Sequence, residues 1–236
     1  MIKFIDETGS TNADLARRIA EHDPPADGDW LVARRQLAGR GRQGREWFDG
    51  SGNFMGSTII RLREGDPPPA TLGFPAALAV HDVVSEALDA PERAQVKWPN
   101  DVLLDGGKLA GLLLERHGQF VIVGIGVNLA RAPDIPGRRT AALADHVQSM
   151  PLERFAEHLA RRLAVQLTAW RENGLAPTLA LFTQHASHQS GAHLTVHDAD
   201  GSRIGGTFAG VDPSDGALRL RLADGSERVI RAGDVD

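Results

Sequence analysis

Apolar residues along this chain recur at two periods, and the changes of period outline its elements. Residues 2–5 read as a short strand. After Ser10-Thr11-Asn12 comes a helical run at 13–20, with Leu15 and Ile19 on one face. Thr11 and Asp14 have the spacing of a capping box. The Asp23-Pro-Pro-Ala-Asp-Gly turn leads into a strand at 30–35, and 53–62 reads as another. Residues 71–88 are helical in pattern, with Leu78, Val80, Val83, Val84 and Leu88 apolar and Pro75 near the first turn, where a missing N–H is tolerated. Strand-like runs follow at 94–98, 102–104, 108–116 and 120–128. An Asp105-Gly-Gly turn and a His117-Gly118 link make hairpins of the last three. A proline-containing loop at 131–139 precedes a long amphipathic helix at 152–173, stopped by Gly174. A further helix starts at 177–185.

Near Ala186 the texture changes. Short strands at 194–197, 203–211, 217–222 and 227–231 are separated by Asp200-Gly201, Asp215-Gly216 and Asp224-Gly225 turns, the spacing of a small all-β module. About fifty residues make little core alone, so this module is expected to lean on the larger unit. The expected division is 1–186 and 187–236.

Composition narrows the class. Hydrophobic residues make up 42% and charged ones 24%, as in ordinary soluble globular proteins. A chain of 236 residues can bury roughly 70–75% of its unfolded surface. The absence of cysteine excludes a disulfide framework, a thiolate nucleophile and a Cys-ligated metal. The N-terminus lacks an apolar signal core, and the longest apolar runs fall far short of the ~20 residues a bilayer needs. The expectation is a cytoplasmic protein with no membrane association.

Formal net charge is −5, yet residues 34–48 hold five arginines (34, 35, 40, 42, 45) against one acid, Glu46. Positive charge concentrated in one glycine-rich loop of an acidic protein points to a local anion site. Glycines expose backbone N–H groups, and guanidinium forks match carboxylate and phosphate. Gly39-Arg-Gly-Arg-Gln-Gly44 fits the dinucleotide fingerprint but is not followed by an apolar helix opening. A solvated loop and an RNA-contacting loop stay open on these residues alone.

Three further motifs carry candidate chemistry. Lys97-Trp-Pro-Asn-Asp101 brings a cation, an amide and a carboxylate together around a rigid pair, or is simply a turn. In Lys108-Leu-Ala-Gly-Leu-Leu-Leu-Glu115, strand alternation puts Lys108, Ala110 and Leu112 on one face, with the lysine pointing into a site or lying on an edge strand. Gly124-Ile-Gly-Val-Asn128 ends an apolar strand with an amide, and its glycines suggest close backbone approach. Histidines at 185, 188, 193 and 197 read as a solvated linker; no carboxylate or cysteine at ligand spacing joins them, so no metal site is expected.

In this order and spacing, from Ser10-Thr-Asn through Gly39-Arg-Gly-Arg-Gln-Gly-Arg-Glu-Trp47, Lys97-Trp-Pro-Asn-Asp101, Lys108-Leu-Ala-Gly111 and Gly124-Ile-Gly-Val-Asn128, the chain resembles the biotin protein ligases over nearly its whole length. The resemblance implies an α+β fold: a mixed sheet with helices, like class II aminoacyl-tRNA synthetase catalytic domains, followed by a small SH3-like β-barrel. It implies activation of biotin by ATP and Mg²⁺ to biotinyl-5′-AMP, then transfer to one lysine of a biotin carboxyl carrier protein.

Carried over by motif, Ser10, Thr11, Asn12 and Gln36 would line the biotin end. Gly39, Arg40, Gly41 and Arg42 would lie over the carboxylate and phosphate, where Lys108 and Gly111 meet them. Lys97, Asn100 and Asn128 would serve the nucleotide, with Arg40 beside it and Trp47 packing the closed loop. Lys108 and Arg42 would stabilise charge, and Asp101 would stand near the acceptor amine. The family's DNA-binding members carry an extra N-terminal domain, whereas here the pattern begins within ten residues of Met1, so no DNA partner is expected.

Two departures stand out. Segment 131–146 offers no aromatic for adenine apart from His146, and the chain ends Ala-Gly-Asp-Val-Asp, where some members place an arginine. A lipoate-protein ligase of the same superfamily and a non-enzymatic RNA-binding module are the alternatives. Exposed strands at 108–128 leave edge-to-edge pairing in a homodimer open.

Overall fold

The computed structural model describes residues 1–148, 150–197 and 202–235. Its larger sheet has seven strands: β1 (Ile2–Thr8), β2 (Trp30–Gln36), β3 (Phe54–Arg61), β4 (Ala94–Lys97), β5 (Asp101–Leu104), β6 (Gly107–His117) and β7 (Phe120–Val127). Their spatial order is β1-β2-β3-β7-β6-β5-β4. β1 and β2 pair parallel and the remaining neighbours antiparallel, so the sheet is mixed.

The edges are β1 and β4. β7 is flanked by β3 and β6 along its whole length, whereas β5 covers β6 only from Gly107 to Gly111. Lys108 lies within that covered stretch and is not an edge-strand lysine.

Alternation sorts the side chains onto two faces. Val121, Val123, Ile125 and Val127 of β7 point into the main core. Covering that face are α2 (Gly73–Ala87), α3 (Leu152–Glu172) and α4 (Leu175–Gln184). The first three turns of α2 are buried almost all round, which is why its sequence there is apolar on every side. A short 3-10 turn, Pro69–Leu72, precedes it, so the helix begins two residues later than its pattern suggests. Helix α3 instead buries one stripe: Phe155, Leu159, Leu163, Leu167 and Trp170.

The opposite face carries only α1 (Thr11–Ala20), seated by Leu15 against Leu31 and Ile122. One helix cannot cover seven strands, and the uncovered floor becomes the cavity described below. The expected capping box does not form: Ser10 is the N-cap and Thr11 the first helical residue. Asp14 instead accepts from Thr8 Oγ1 at 2.5 Å, freeing Thr11 for other work.

Beyond α4, strands β8 (His193–His197), β9 (Arg203–Val211), β10 (Leu218–Arg221), β11 (Glu227–Ile230) and β12 (Asp234–Val235) form an antiparallel sheet in the order β11-β10-β9-β8-β12. β11 and β12 are its unpaired edges, so among the described residues it is open, not the closed barrel expected. The Asp200-Gly201 turn lies outside the described residues. Leu194, Val196, Phe208, Leu218 and Val235 belong to the same apolar cluster as Trp98, Phe74 and Phe182 of the larger unit. The Trp98 indole N–H donates to Gly216 O across this seam at 3.0 Å.

Candidate active site

A cavity of about 350 Å³ lies over the face that α1 leaves open. Its floor is a patch of glycine. On β7 the residues facing it are Gly124 and Gly126, and on β6 Gly111 stands in register with Gly126. Space above these glycines is in use. A Cβ at Gly124 would come within 2.3 Å of Asn12 Oδ1, and one at Gly126 within 2.2 Å of the Trp47 ring. Glycine is required here by close approach.

Lys108 reaches this floor through a bulge. β5 and β6 pair Val102 with Ala110 but Leu103 with Lys108, so Leu109 is an extra residue on β6. The insertion reverses the facing of everything before it. Ala110 and Leu112 turn into the core, while the Lys108 ammonium lies over Gly111, 3.4 Å from where its Cβ would be. The shared face expected for Lys108, Ala110 and Leu112 is therefore wrong, because simple alternation ignores the bulge. Backbone bonds hold it from the other side: Lys108 N donates to Arg139 O at 2.8 Å, and Ala141 N donates to Lys108 O at 3.0 Å. Asn128, buried at the end of β7, donates its amide N–H groups to Lys108 O (3.3 Å) and Ala141 O (3.2 Å). Its side chain clamps the bulge. The Lys108 ammonium pairs with Asp101 at 2.7 Å.

At one end of the cavity, buried polar groups interlock. Gln36 Oε1 accepts from Thr11 N (2.7 Å), Thr11 and Ser57 hydroxyls are 2.6 Å apart, and Ser57 donates to Asn12 Oδ1 at 2.6 Å. Ser57 was not foreseen. The available signal was a Ser57-Thr58 polar pair inside an otherwise apolar strand; Ser57 stands directly opposite Gly124.

The other end is cationic. Arg42 donates to Asn100 Oδ1 at 2.9 Å, and Asn100 Nδ2 is fixed on Leu112 O at 2.6 Å. Lys97, Arg40, Arg138 and Arg139 line the same space. Across the opening stands Asp234 of the second sheet, hydrogen-bonded to Arg45 and 3.8 Å from Arg42. Burial pushes its carboxyl up, but the Arg45 bond and the charges of Arg45, Arg42 and Arg138 outweigh that and hold it below the usual carboxylate range. No motif pointed to Asp234, which comes from the opposite end of the chain.

The arginine loop folds over the opening. Trp47 N donates to Gly39 O (2.9 Å) and Gly41 N to Arg45 O (2.7 Å), placing the Trp47 ring on Gly111 and Gly126, with the Lys108 ammonium 6.0 Å from its centre. Every candidate residue named from the sequence lines this one cavity except Gly39, which sits behind it against Gln36 and Trp47. The histidines do not contribute: His185 stacks on His81 with centroids 4.2 Å apart, far from the floor. Among the described residues no three His, Cys, Asp or Glu side chains form a metal-binding group.

The family model for the biotin/lipoate A/B protein ligase family matches residues 3–128. A biotin–[acetyl-CoA-carboxylase] ligase of Paracoccus denitrificans is 40% identical over 98% of this chain and 98% of its own. One from Mycobacterium tuberculosis is 36% identical over 99% of this chain and 88% of its own. The fold matches that of a biotin protein ligase from Aquifex aeolicus, solved with biotin and ATP, at a TM-score of 0.84 and 23% identity, covering 100% of this chain and 97% of that one. The chain belongs to the biotin/lipoate A/B protein ligase family.

Proposed function

We propose that this protein is an ATP-dependent biotin protein ligase, which joins biotin to AMP and passes the biotinyl group to a lysine of a carboxyl carrier domain. The observation that carries this reading is a single cavity with two unlike ends. A buried donor-and-acceptor network suits a ureido ring, and a cluster of cations suits a carboxylate meeting a triphosphate.

In the first step the biotin carboxylate attacks the α-phosphorus and pyrophosphate leaves. Two anions must approach, so fixed cations are the chief need. A unit charge pair at 4 Å is worth about 4 kcal/mol at an effective dielectric near 20. Lys108, Arg40 and Arg42 supply such contacts from a prearranged frame, the condition for stabilising charge that develops in the transition state. Asp101 orients Lys108 through their 2.7 Å pair. Lys97, Asn100 and Asn128 are assigned to the nucleotide side, Asn100 by holding Arg42 and Asn128 by holding the strand end that carries Lys108. Magnesium enters with ATP, held mainly by phosphates and water.

In the second step the acceptor lysine must be neutral, which at pH 7 is true of roughly one in 2,500 free lysines. Its nitrogen attacks the acyl carbon, AMP leaves as the phosphate anion, and one proton departs from the amine. Asp101 is the carboxylate assigned to that proton, and taking it requires the pair with Lys108 to open. The acyl-adenylate is labile in water, and the arginine loop closed by Trp47 excludes water from it. A cytoplasmic location is part of this reading, as biotin and ATP are both at hand there; among the described residues no helix is long and apolar enough to cross a membrane.

The test is pyrophosphate release from MgATP with biotin, lipoate and octanoate in parallel, followed by mass transfer to a carrier domain. Release with biotin and not the others is expected. Release with lipoate alone would replace this reading by the lipoate ligase alternative.

A further inference from the structure

Behind the polar end of the cavity runs a hydrogen-bond chain whose direction is set from outside the cavity. Glu115 lies on β6, four residues past Gly111 and on the same face, and it does not line the space. Asn12 Nδ2 donates to its carboxylate at 2.6 Å. A carboxylate accepts only, so the Asn12 amide can face it in one orientation, with Oδ1 turned to Ser57. An amide oxygen also accepts only, so the Ser57 proton goes to Asn12 Oδ1, 2.6 Å away. Thr11 Oγ1 has one proton, placed between the Ser57 oxygen 2.6 Å away and Gln36 Oε1, to which it donates at 3.0 Å. Gln36 Oε1 also takes the backbone N–H of Thr11, which turns Gln36 Nε2 the other way, toward Gly39.

We propose that Glu115 is a positioning residue that fixes the polarity of ring recognition. With Asn12 held, the Ser57 proton is spent on Asn12 and the Thr11 proton on Gln36 and Ser57. The two hydroxyls then offer a ligand lone pairs. A cyclic urea, whose N–H groups donate, matches them; a dithiolane or an alkyl chain does not. Without Glu115 the amide is free to turn, its NH₂ can face Ser57, and the hydroxyl chain can reverse. Protons would then meet the ring N–H groups. The proposal rests on this end of the cavity being the biotin end.

Initial rates of pyrophosphate release for wild type, Glu115→Gln and Glu115→Leu, with biotin and MgATP varied separately, test it. Leucine keeps bulk but removes the acceptor; glutamine keeps an acceptor oxygen of the same reach. Glu115→Leu is expected to raise KM for biotin about tenfold with kcat and KM for ATP unchanged, the cost of one misdirected buried hydrogen bond. Glu115→Gln should stay within about threefold of wild type. Thermal melts establish that both variants fold. If Leu leaves KM for biotin unchanged, or raises both KM values together, the proposal fails; so it does if Gln is as impaired as Leu. Should Leu fail to fold, Glu115→Gln and Glu115→Lys decide: lysine, a donor facing Asn12 Nδ2, must raise KM for biotin, and no rise overturns the proposal. A wild-type enzyme that releases no pyrophosphate with biotin would refute the ligase reading instead.

Discussion

Lys108 shows how one inserted residue decides what a side chain can do. With strict alternation its ammonium would be on the core face with Ala110 and Leu112, where an unpaired charge is prohibitive. The extra Leu109 turns it to the glycine floor and the pair with Asp101. Lys108 is only about one-third exposed, and its partners are the groups a substrate would meet, so its loss should hurt chemistry more than folding. Lys108→Ala is expected to slow adenylate formation about 10²–10³-fold, as removal of one prearranged charge-stabilising donor does elsewhere. The melting temperature should change by no more than a few degrees. Equal losses in rate and stability, read by single-turnover pyrophosphate release and calorimetry, would make this lysine structural. The sequence held the identity of Lys108 in plain view but not its direction, because a bulge is a property of the pairing with β5 and leaves no local periodicity. Gly124 and Gly126 were legible as points of close approach, whereas what approaches them, Asn12 and Trp47, lies more than 75 residues away and was not.

At the scale of elements, the arginine loop is held by the strand at the far end of the chain. Arg45 and Arg42 meet the Asp234 carboxylate, and Arg42 also donates to Gly233 O at 3.3 Å. Removing the charge should loosen the loop without disturbing either sheet. Asp234→Asn is expected to expose Arg40, Arg42 and Arg45 to trypsin several-fold faster in the ligand-free protein. High salt should do the same to wild type, because partly exposed ion pairs are screened. Cleavage at an unchanged rate would show that Trp47 and the Arg42 bonds to Asn100 and Gly233 hold the loop without Asp234. A second contact between elements carries a pH dependence. His185, after α4, stacks on His81 of α2; burial and the neighbouring His81 lower its pKa from the ordinary 6.5. Burial, reinforced by Lys97, lowers that of His188 as well. The unfolded chain therefore binds more protons than the folded one between the lowered values and 6.5, so stability falls as pH drops through that window and levels off below it. His185→Phe keeps the stack and removes the charge. Its melting temperature should fall less than that of wild type between pH 7 and 5, and parallel curves would rule out this pair as the source.

For the whole molecule, helix and strand order could be read almost throughout, since long amphipathic and alternating runs such as 152–173 and 120–128 depend on local pattern alone. The closure of the second sheet could not, because the two-residue β12 pairs with β8 and not with β11 just before it in sequence, a choice with no signature in so short a strand. The boundary near Ala186 marks a change of texture more than a break in packing. Val96 N donates to His185 O and Ser187 N to Val96 O, so the connecting segment is itself bonded to β4. One apolar cluster then runs from α2 and α4 into β8, β9 and β10. Gly216 is the tightest point of that seam. It has φ of +71°, and a Cβ there would stand 2.2 Å from the Phe74 ring. Alanine at this position must overcome both left-handed backbone strain and overpacking, together about 2–6 kcal/mol. At roughly 2–4 °C per kcal/mol for a chain of this size, Gly216→Ala should lower the melting temperature by about 4–24 °C. Since the seam is continuous, wild type should unfold in one transition, with a 19F label on the Trp98 indole and the backbone signal changing together. In Gly216→Ala the two should separate, the Trp98 signal leading as the small sheet detaches from Phe74 and Phe182. A variant that melts lower but still in one coincident step would mean that the small sheet has no folded existence apart from the catalytic unit, and its partial detachment would then be excluded as a route for opening the arginine loop.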